Sequence, residues 1–355
     1  MIQSWLGKIL MAPFSLIYGL MIGIRNALYE SELVKSTTFS LPVISVGNIS
    51  IGGAGKTPHI EYLIRLLSPY INVATLSRGY KRKTKGFRFV RASDNVLATG
   101  DEPLMYARKH KDIVVAVGES RSLAIPQMVG KYPEMQAVLL DDAFQHRSIT
   151  PGLNILLTTW DDPFTKDYLL PSGRLREWRS SYKRADIIIV TKCPPVLDFV
   201  EKSKLIQEIN PTENQKIYFS YYEYGYPYNF YNSKQRIKLD PDLDVILISA
   251  IANTKYLLDY LSQEVDDVHH MNYEDHHLFS DVDIDYIHTV FTNRESKRKL
   301  ILTTEKDAMR LDIHRKKLTE LNIPIFVLPT QVRFHDSENE QFDQDVRDFL
   351  LRFEV

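Results

Sequence analysis

The sequence predicts an α/β fold in two units. Three observations support this: short β-branched runs alternating with amphipathic stretches, a change of texture near residue 216, and a second alternating series that starts at Val245. The first series occupies residues 42–49, 72–76, 113–117, 137–140, 154–158 and 186–190. Runs that are apolar on both faces suit parallel strands covered by helices on both sides. After the first run, Ile60, Leu63, Ile64 and Leu67 recur at helical spacing, as expected of a crossover helix packed on such a sheet. Residues 216–238 are tyrosine-rich and alternating, which predicts a two-stranded β linker. VILISAI from Val245 and KLILTTEKDA around Leu300 predict a smaller α/β unit. The expected divisions are a hydrophobic helix at 1–30, the main sheet domain at 31–215, the linker at 216–240, and a smaller domain with a C-terminal helix at 241–355.

The chain has 355 residues, 44% hydrophobic and 25% charged, enough apolar material for a large core and too much for a disordered protein. Its one cysteine, Cys193, excludes internal disulfides and a zinc site built on several thiolates, and fits a reducing compartment such as the cytoplasm. Lys and Arg total 44 against 45 Asp and Glu, so no overall field draws the chain to nucleic acid, which is not an expected partner. The first thirty residues depart from a soluble pattern. Residues 9–24 carry no charge and are flanked by Lys8 and Arg25. This run is shorter than the roughly 20 apolar residues that cross a bilayer, Pro13 interrupts it, and no small-residue cleavage site follows. The expectation is a membrane-associated helix lying at the interface or in a groove; the competing reading is an N-terminal core helix.

The glycines carry the next step. In VISVGNISIGGAGKTPHIEYLIRLL a β-branched strand runs into a glycine cluster, then Lys-Thr, then an amphipathic helix. Gly52, Gly53, Ala54 and Gly55 would let backbone N–H groups curl around phosphate oxygens, with Lys56 on the β- and γ-phosphates and Thr57 on Mg²⁺. Ser50 stands where the strict motif has its first glycine. Four of the fifteen glycines nevertheless fall between Gly47 and Gly55, more than an ordinary strand-to-helix turn needs. The fold class is therefore a P-loop NTPase-like parallel sheet domain that binds ATP.

Phosphoryl transfer also needs acids. AVLLDD ends an apolar strand in Asp141 and Asp142, where one carboxylate would hold Mg²⁺ at the carboxyl edge of the sheet; which one is left open. Gln145 and His146 follow on the same turn, Gln145 as a candidate for orienting metal-bound water and His146 for contacting phosphate or substrate. Asp101 and Glu102 sit before a helix expected near Leu104. Capping explains them, and so does a base for an acceptor hydroxyl. Two basic stretches, one from Arg78 to Arg91 and one containing Arg174 and Arg176, follow strand ends, where ligands bind in open sheets.

These motifs occur together and in order. VGNISIGGAGKTP, SRGY, GDEP, LLDDAFQH, LPSGRLRE, the DHH at residues 275–277 and TTEKDA resemble the tetraacyldisaccharide 4'-kinases, the lipid A 4'-kinases of Gram-negative bacteria, over nearly the whole chain. The resemblance implies transfer of the ATP γ-phosphate to the 4'-hydroxyl of tetraacyldisaccharide 1-phosphate with Mg²⁺, at the cytoplasmic face of the inner membrane. It implies Lys56 and Thr57 as phosphate and metal residues, Asp141 and Asp142 as the acidic pair, and Asp101 as catalytic base partnered by His276. Glu102, Gln145, His146, Arg78, Arg174 and Arg176 would assist with metal, water or phosphate. Ala143, Trp178 and the SAIANT segment depart from the family pattern. The alternative is a P-loop enzyme that hydrolyses ATP or GTP to drive a partner. A GTPase of that kind would carry N-K-x-D, whose nearest counterpart, Thr191-Lys192-Cys193-Pro194, lacks the aspartate.

Overall fold

The computed structural model describes residues 5–336 and 338–353. In chain order the strands are β1 (Val43–Asn48), β2 (Val73–Ser77), β3 (Arg88–Phe89), β4 (Val114–Val117), β5 (Ala137–Asp141), β6 (Leu153–Thr159) and β7 (Ile187–Thr191). They continue with β8 (Lys216–Tyr224), β9 (Tyr228–Asn229), β10 (Asp244–Ser249), β11 (Asp267–Asn272), β12 (Lys299–Thr304), β13 (Ile325–Leu328) and β14 (Thr330–Phe334). Nine of them form one sheet in the order β14-β8-β7-β6-β1-β5-β2-β4-β3, parallel except for the two edge strands, β14 and β3. The other five form a smaller sheet, β11-β10-β12-β13-β9, parallel except for β9. The six strands expected in the first unit are all present, within one residue at each end. Their runs are apolar on both faces because helices cover both faces. All six residues of β1 are buried, and the following helix, Lys56–Leu67, sets Ile60, Leu63, Ile64 and Leu67 against Ile44, Val46 and Ile155.

Strand order positions the site. β1 lies between β5 and β6, and its register pairs Val46 with Asp141. The glycine loop leaving β1 and the acids ending β5 are therefore neighbours at the carboxyl edge. β2, next in sequence after β1, lies beyond β5, which opens a crevice of the kind ligands occupy in open α/β sheets.

Three sequence expectations change here. Residues 216–240 do not pair with themselves: β8 extends the large sheet beside β7, while β9 joins the small one. The two-stranded ribbon is instead β8 with β14, separated by the whole smaller unit. The C-terminal helix Glu338–Leu351 also returns to the large sheet, where Phe342 and Val346 join the core of Ile44 and Ile60. Alternating tyrosines identified strands but not their partners, since period-2 patterning fixes a face and not a neighbour.

The third change is the N-terminal helix, which runs Trp5–Glu30, 26 residues, with Pro13 inside it. Gly7–Glu30 is long and apolar enough to cross a membrane by length and composition, so the uncharged run understates the helix. One side docks on the segment around residues 169–178. The Ser15 hydroxyl donates to Ser172 Oγ at 2.8 Å, Tyr18 Oη to the Arg176 carbonyl at 2.9 Å, and Trp178 Nε1 to the Gly19 carbonyl at 2.8 Å. A Cβ at Gly19 would lie 2.7 Å from Leu169, so a bare backbone lets the helix approach. Leu10, Phe14, Ile17, Leu20, Met21 and Ile24 project away and are exposed. The core-helix reading fails on that exposure.

Candidate functional site

The loop between β1 and the helix Lys56–Leu67 has the shape its glycines require. Gly52 and Gly55 have φ of +126° and +86°, and a Cβ at Gly55 would collide with Tyr222 Oη. His59, one turn into the helix, holds the loop from below. Its Nδ1 lies 2.7 Å from the Gly55 carbonyl oxygen and its Nε2 3.1 Å from Ser220 Oγ. Burial pushes its pKa down to about 4, so it acts as a neutral buried strut. Lys56 and Thr57 open the helix, where free N–H groups favour an anion. Lys56 Nζ lies 3.2 Å from Asn48 Oδ1 and 3.6 Å from Asp142 Oδ1.

Thr57 Oγ1 donates to Glu102 Oε1 at 2.9 Å, and Glu102 also receives Lys306 Nζ. Buried Asp141, ending β5, accepts from Tyr106 Oη at 2.9 Å through Oδ2, while its Oδ1 has no partner. Burial, with Glu102 and Asp142 as negative neighbours, outweighs Lys56 and raises Asp141 to about 7. A buried carboxylate oxygen without a partner, close to a hydroxyl and a second carboxylate, is a donor set fitted to Mg²⁺. Among the described residues no three His, Cys, Asp or Glu side chains make a metal cage. Mg²⁺ that shares its shell with nucleotide phosphates needs only one or two carboxylates.

Asp142 is differently engaged. In the left-handed region at φ +50°, it accepts from Arg176 Nη2 at 2.9 Å and Nη1 at 3.3 Å. Burial would raise its pKa, but Lys56 and Arg176 offset this and hold it well below the usual carboxylate range. Gln145 Nε2 donates to the Asn48 carbonyl at 2.9 Å, away from Thr57 and Glu102. Of the five side chains expected at a metal, the structure brings Thr57, Glu102 and Asp141 together and gives Asp142 and Gln145 other partners.

The third group crosses from one unit to the other. Asp101 opens the helix Asp101–Lys109, which starts three residues earlier than expected. His276 lies 175 positions away, yet its Nδ1 is 2.9 Å from Asp101 Oδ2, an oxygen that also receives Arg310 Nη1. Burial would raise Asp101, but the His276 hydrogen bond and the charges of Lys306 and Arg310 hold it well below the usual range. An ionised carboxylate only accepts, so Nδ1 carries the proton in this contact and Nε2 keeps its lone pair. Lys81 Nζ secures the turn by donating to the carbonyls of Asp275 and His276 at 3.1 and 3.2 Å.

All three groups border one cavity of about 620 Å³, lined by Lys56, Glu102, Asp141, Arg78, His146, Arg176 and His276 among others. Asp101 is not in its wall and meets it through His276. Burial, with Arg121 nearby, lowers His146 to about 4, so that ring is neutral. Arg174 does not line the cavity. Its guanidinium is held by Asp167 at 3.0 Å and Asp162 at 2.9 Å, correcting its expected substrate role. Sequence reasoning missed Asn48, Arg121, Lys306 and Arg310. A signal existed for the last two: Lys306 lies within TTEKDA, and Arg310 follows one helical turn later.

Asp141 yields a prediction with two readouts. A carboxylate whose folded pKa is raised above its unfolded value destabilises the fold increasingly between about pH 4 and about pH 7, and fully above. Asp141→Asn keeps an acceptor for Tyr106 and removes that charge. It should abolish Mg²⁺-dependent phosphate transfer, yet raise the unfolding temperature more at pH 8 than at pH 5. A melting temperature lowered at pH 8 would contradict the raised pKa.

Comparison with known proteins extends the geometry. The family model described as tetraacyldisaccharide-1-P 4'-kinase matches residues 7–350. A tetraacyldisaccharide 4'-kinase of Flavobacterium johnsoniae is 41% identical, covering 98% of both chains. Its counterpart in Bacteroides thetaiotaomicron is 38% identical, covering 97% of this chain and 92% of that one. A crystal structure of LpxK from Aquifex aeolicus in complex with ATP superposes with a TM-score of 0.71 at 28% identity, over 97% of this chain and 99% of that one.

Proposed function

The chain belongs to the tetraacyldisaccharide 4'-kinase family, and from that premise we propose how its residues divide the work of phosphorylating the 4'-hydroxyl of tetraacyldisaccharide 1-phosphate. It is an ATP-dependent kinase of lipid A biosynthesis. The observation that carries the reading is one cavity bordered by a phosphate-binding helix start, a cation donor set and a carboxylate–imidazole pair.

The backbone from Gly52 to Thr57 and the ammonium of Lys56 cradle the β- and γ-phosphates. Thr57, Glu102 and Asp141 would hold Mg²⁺, which when bound neutralises charge on the β- and γ-phosphate oxygens. Asp101 fixes the His276 ring through Nδ1, and the pair accepts the 4'-hydroxyl proton on the cavity side. The acceptor oxygen forms its bond to the γ-phosphorus as the bond to the β–γ bridging oxygen breaks, and ADP leaves with that oxygen. Arg78 and Arg176, with Arg121 behind them, offer positive charge to transferring phosphoryl oxygens or the 1-phosphate. Neutral His146 supplies a hydrogen bond.

The acyl chains and the N-terminal helix share a solvent. Its exposed apolar side, opposite the docking contacts of Ser15, Tyr18 and Gly19, suits insertion into one leaflet of the cytoplasmic face of the inner membrane, where ATP is available. The protein is then peripheral or monotopic.

Two experiments test these assignments. Purified Lys56→Ala should bring labelled transfer from ATP to the lipid acceptor down by about 10²-fold or more, because a preorganised positive charge at the transferring group is lost. Transfer at the wild-type rate would remove the loop from the reaction. In vesicle flotation, a variant with Leu10, Ile17 and Ile24 all changed to Glu should leave the lipid fraction while melting as the wild type does. Unchanged flotation would mean the helix does not bind the bilayer.

A further inference from the structure

Lys192 is the residue of the Thr191-Lys192-Cys193-Pro194 segment that phosphate chemistry leaves unexplained. It follows β7 directly, with φ of +57°, and lines the same cavity as the phosphate loop. Its side chain passes the loop closely: Nζ is 3.7 Å from where a Cβ on Gly53 would stand and 6.0 Å from the centre of the Tyr222 ring. Among the described residues its ammonium has no hydrogen bond or ion pair. Burial and the positive charge of Lys306 outweigh the distant Asp161 and lower its pKa to about 8. A buried ammonium without an acceptor is costly and is a group prepared for a ligand.

Topology says which part of the nucleotide reaches it. Glu102, Asp141 and His276 stand on the β5–β2 side of the phosphate loop, so the γ-phosphate points that way. The nucleoside must leave the loop in the opposite direction, over the carboxyl ends of β6 and β7. There the cavity wall is Lys192, Tyr222, Ala252, Asn253 and Tyr256. Ala252 is 3.5 Å from the Cβ position of Gly53, so the smaller unit closes this end of the cavity against the loop.

We propose that Lys192 is the principal nucleoside-binding residue, its aliphatic stem lying along the base and its ammonium meeting nucleoside lone pairs beside Gly53. This rests on the ATP-dependent activity and adds a site for the nucleoside to the one for the phosphates. Pro194, at the position where an N-K-x-D motif has its carboxylate, leaves no acceptor at that position for the N1 and N2 protons of guanine. The base is therefore held by Lys192 and the tyrosine-rich wall.

The test compares ATP with inorganic tripolyphosphate, which has the phosphates and no nucleoside. Lys192→Met, whose unbranched stem fills the same space, and Lys192→Gln are assayed beside wild type with saturating lipid acceptor. KM for ATP should rise about tenfold, the loss of one charge-assisted contact, with kcat within about twofold. The inhibition constant of tripolyphosphate should stay at its wild-type value. KM and inhibition constants do not depend on the fraction of active protein, so partial misfolding cannot imitate this pattern. An unchanged KM for ATP, or a loss of tripolyphosphate affinity as large as the loss for ATP, overturns the assignment. Wild type without transfer to the lipid acceptor would instead overturn the kinase reading itself.

Discussion

Asp101 is a buried carboxylate that keeps its charge only because another part of the chain reaches it. His276 and Arg310 both bond Oδ2, and Lys306 stands close enough to favour the ion. Removing these partners would leave an uncompensated charge in a nearly dry position, a cost of about 3–5 kcal/mol for a broken buried pair. The two units are therefore coupled through the site itself. Around it, Lys109 Nζ spans Glu61 and Glu305 at 2.7 Å each, and Arg108 meets Asp312 at 2.8 Å. The helices Asp101–Lys109 and Glu305–Leu311 thus meet through charge at the cleft.

The same arrangement separates the two aspartates of LLDD. Adjacent residues at a strand end point to opposite sides, and their surroundings drive their affinities for protons apart. Asp141 faces Tyr106 and the Glu102 side, where burial and like charge raise it. Asp142 turns in the left-handed region onto Arg176 and Lys56, which lower it. One carboxylate is left with a free oxygen, and the other is spent as a counterion that positions two cations.

Much of the fold was legible because its parallel strands are apolar on both faces and bounded by turns. The six expected strands of the first unit and the helix after the glycine loop appear where periodicity located them. What failed was pairing at a distance. Tyrosine alternation in residues 216–238 could not say that β8 would meet β14 a hundred residues later, nor that the C-terminal helix would return to the first core. In the site, the glycines, Lys56, Thr57, Glu102 and Asp141 were legible from local spacing. Arg174 misled because it lies two residues from Arg176 in an extended segment and forms its ion pairs with Asp162 and Asp167 instead. Two departures from the family pattern also have local partners: Trp178 anchors the N-terminal helix at Gly19, and Ala250 of SAIANT accepts from Arg310.

If the contact between Asp101 and His276 is the unit that removes the acceptor proton, the two residues cannot lose their effects independently. The direct measurement is kcat at saturating ATP, Mg²⁺ and lipid acceptor for Asp101→Asn, His276→Ala and the double variant. The account predicts a double variant about as slow as the slower single variant, because the first substitution already disables the pair. Losses that multiply, or a His276→Ala enzyme with the wild-type kcat, would contradict it.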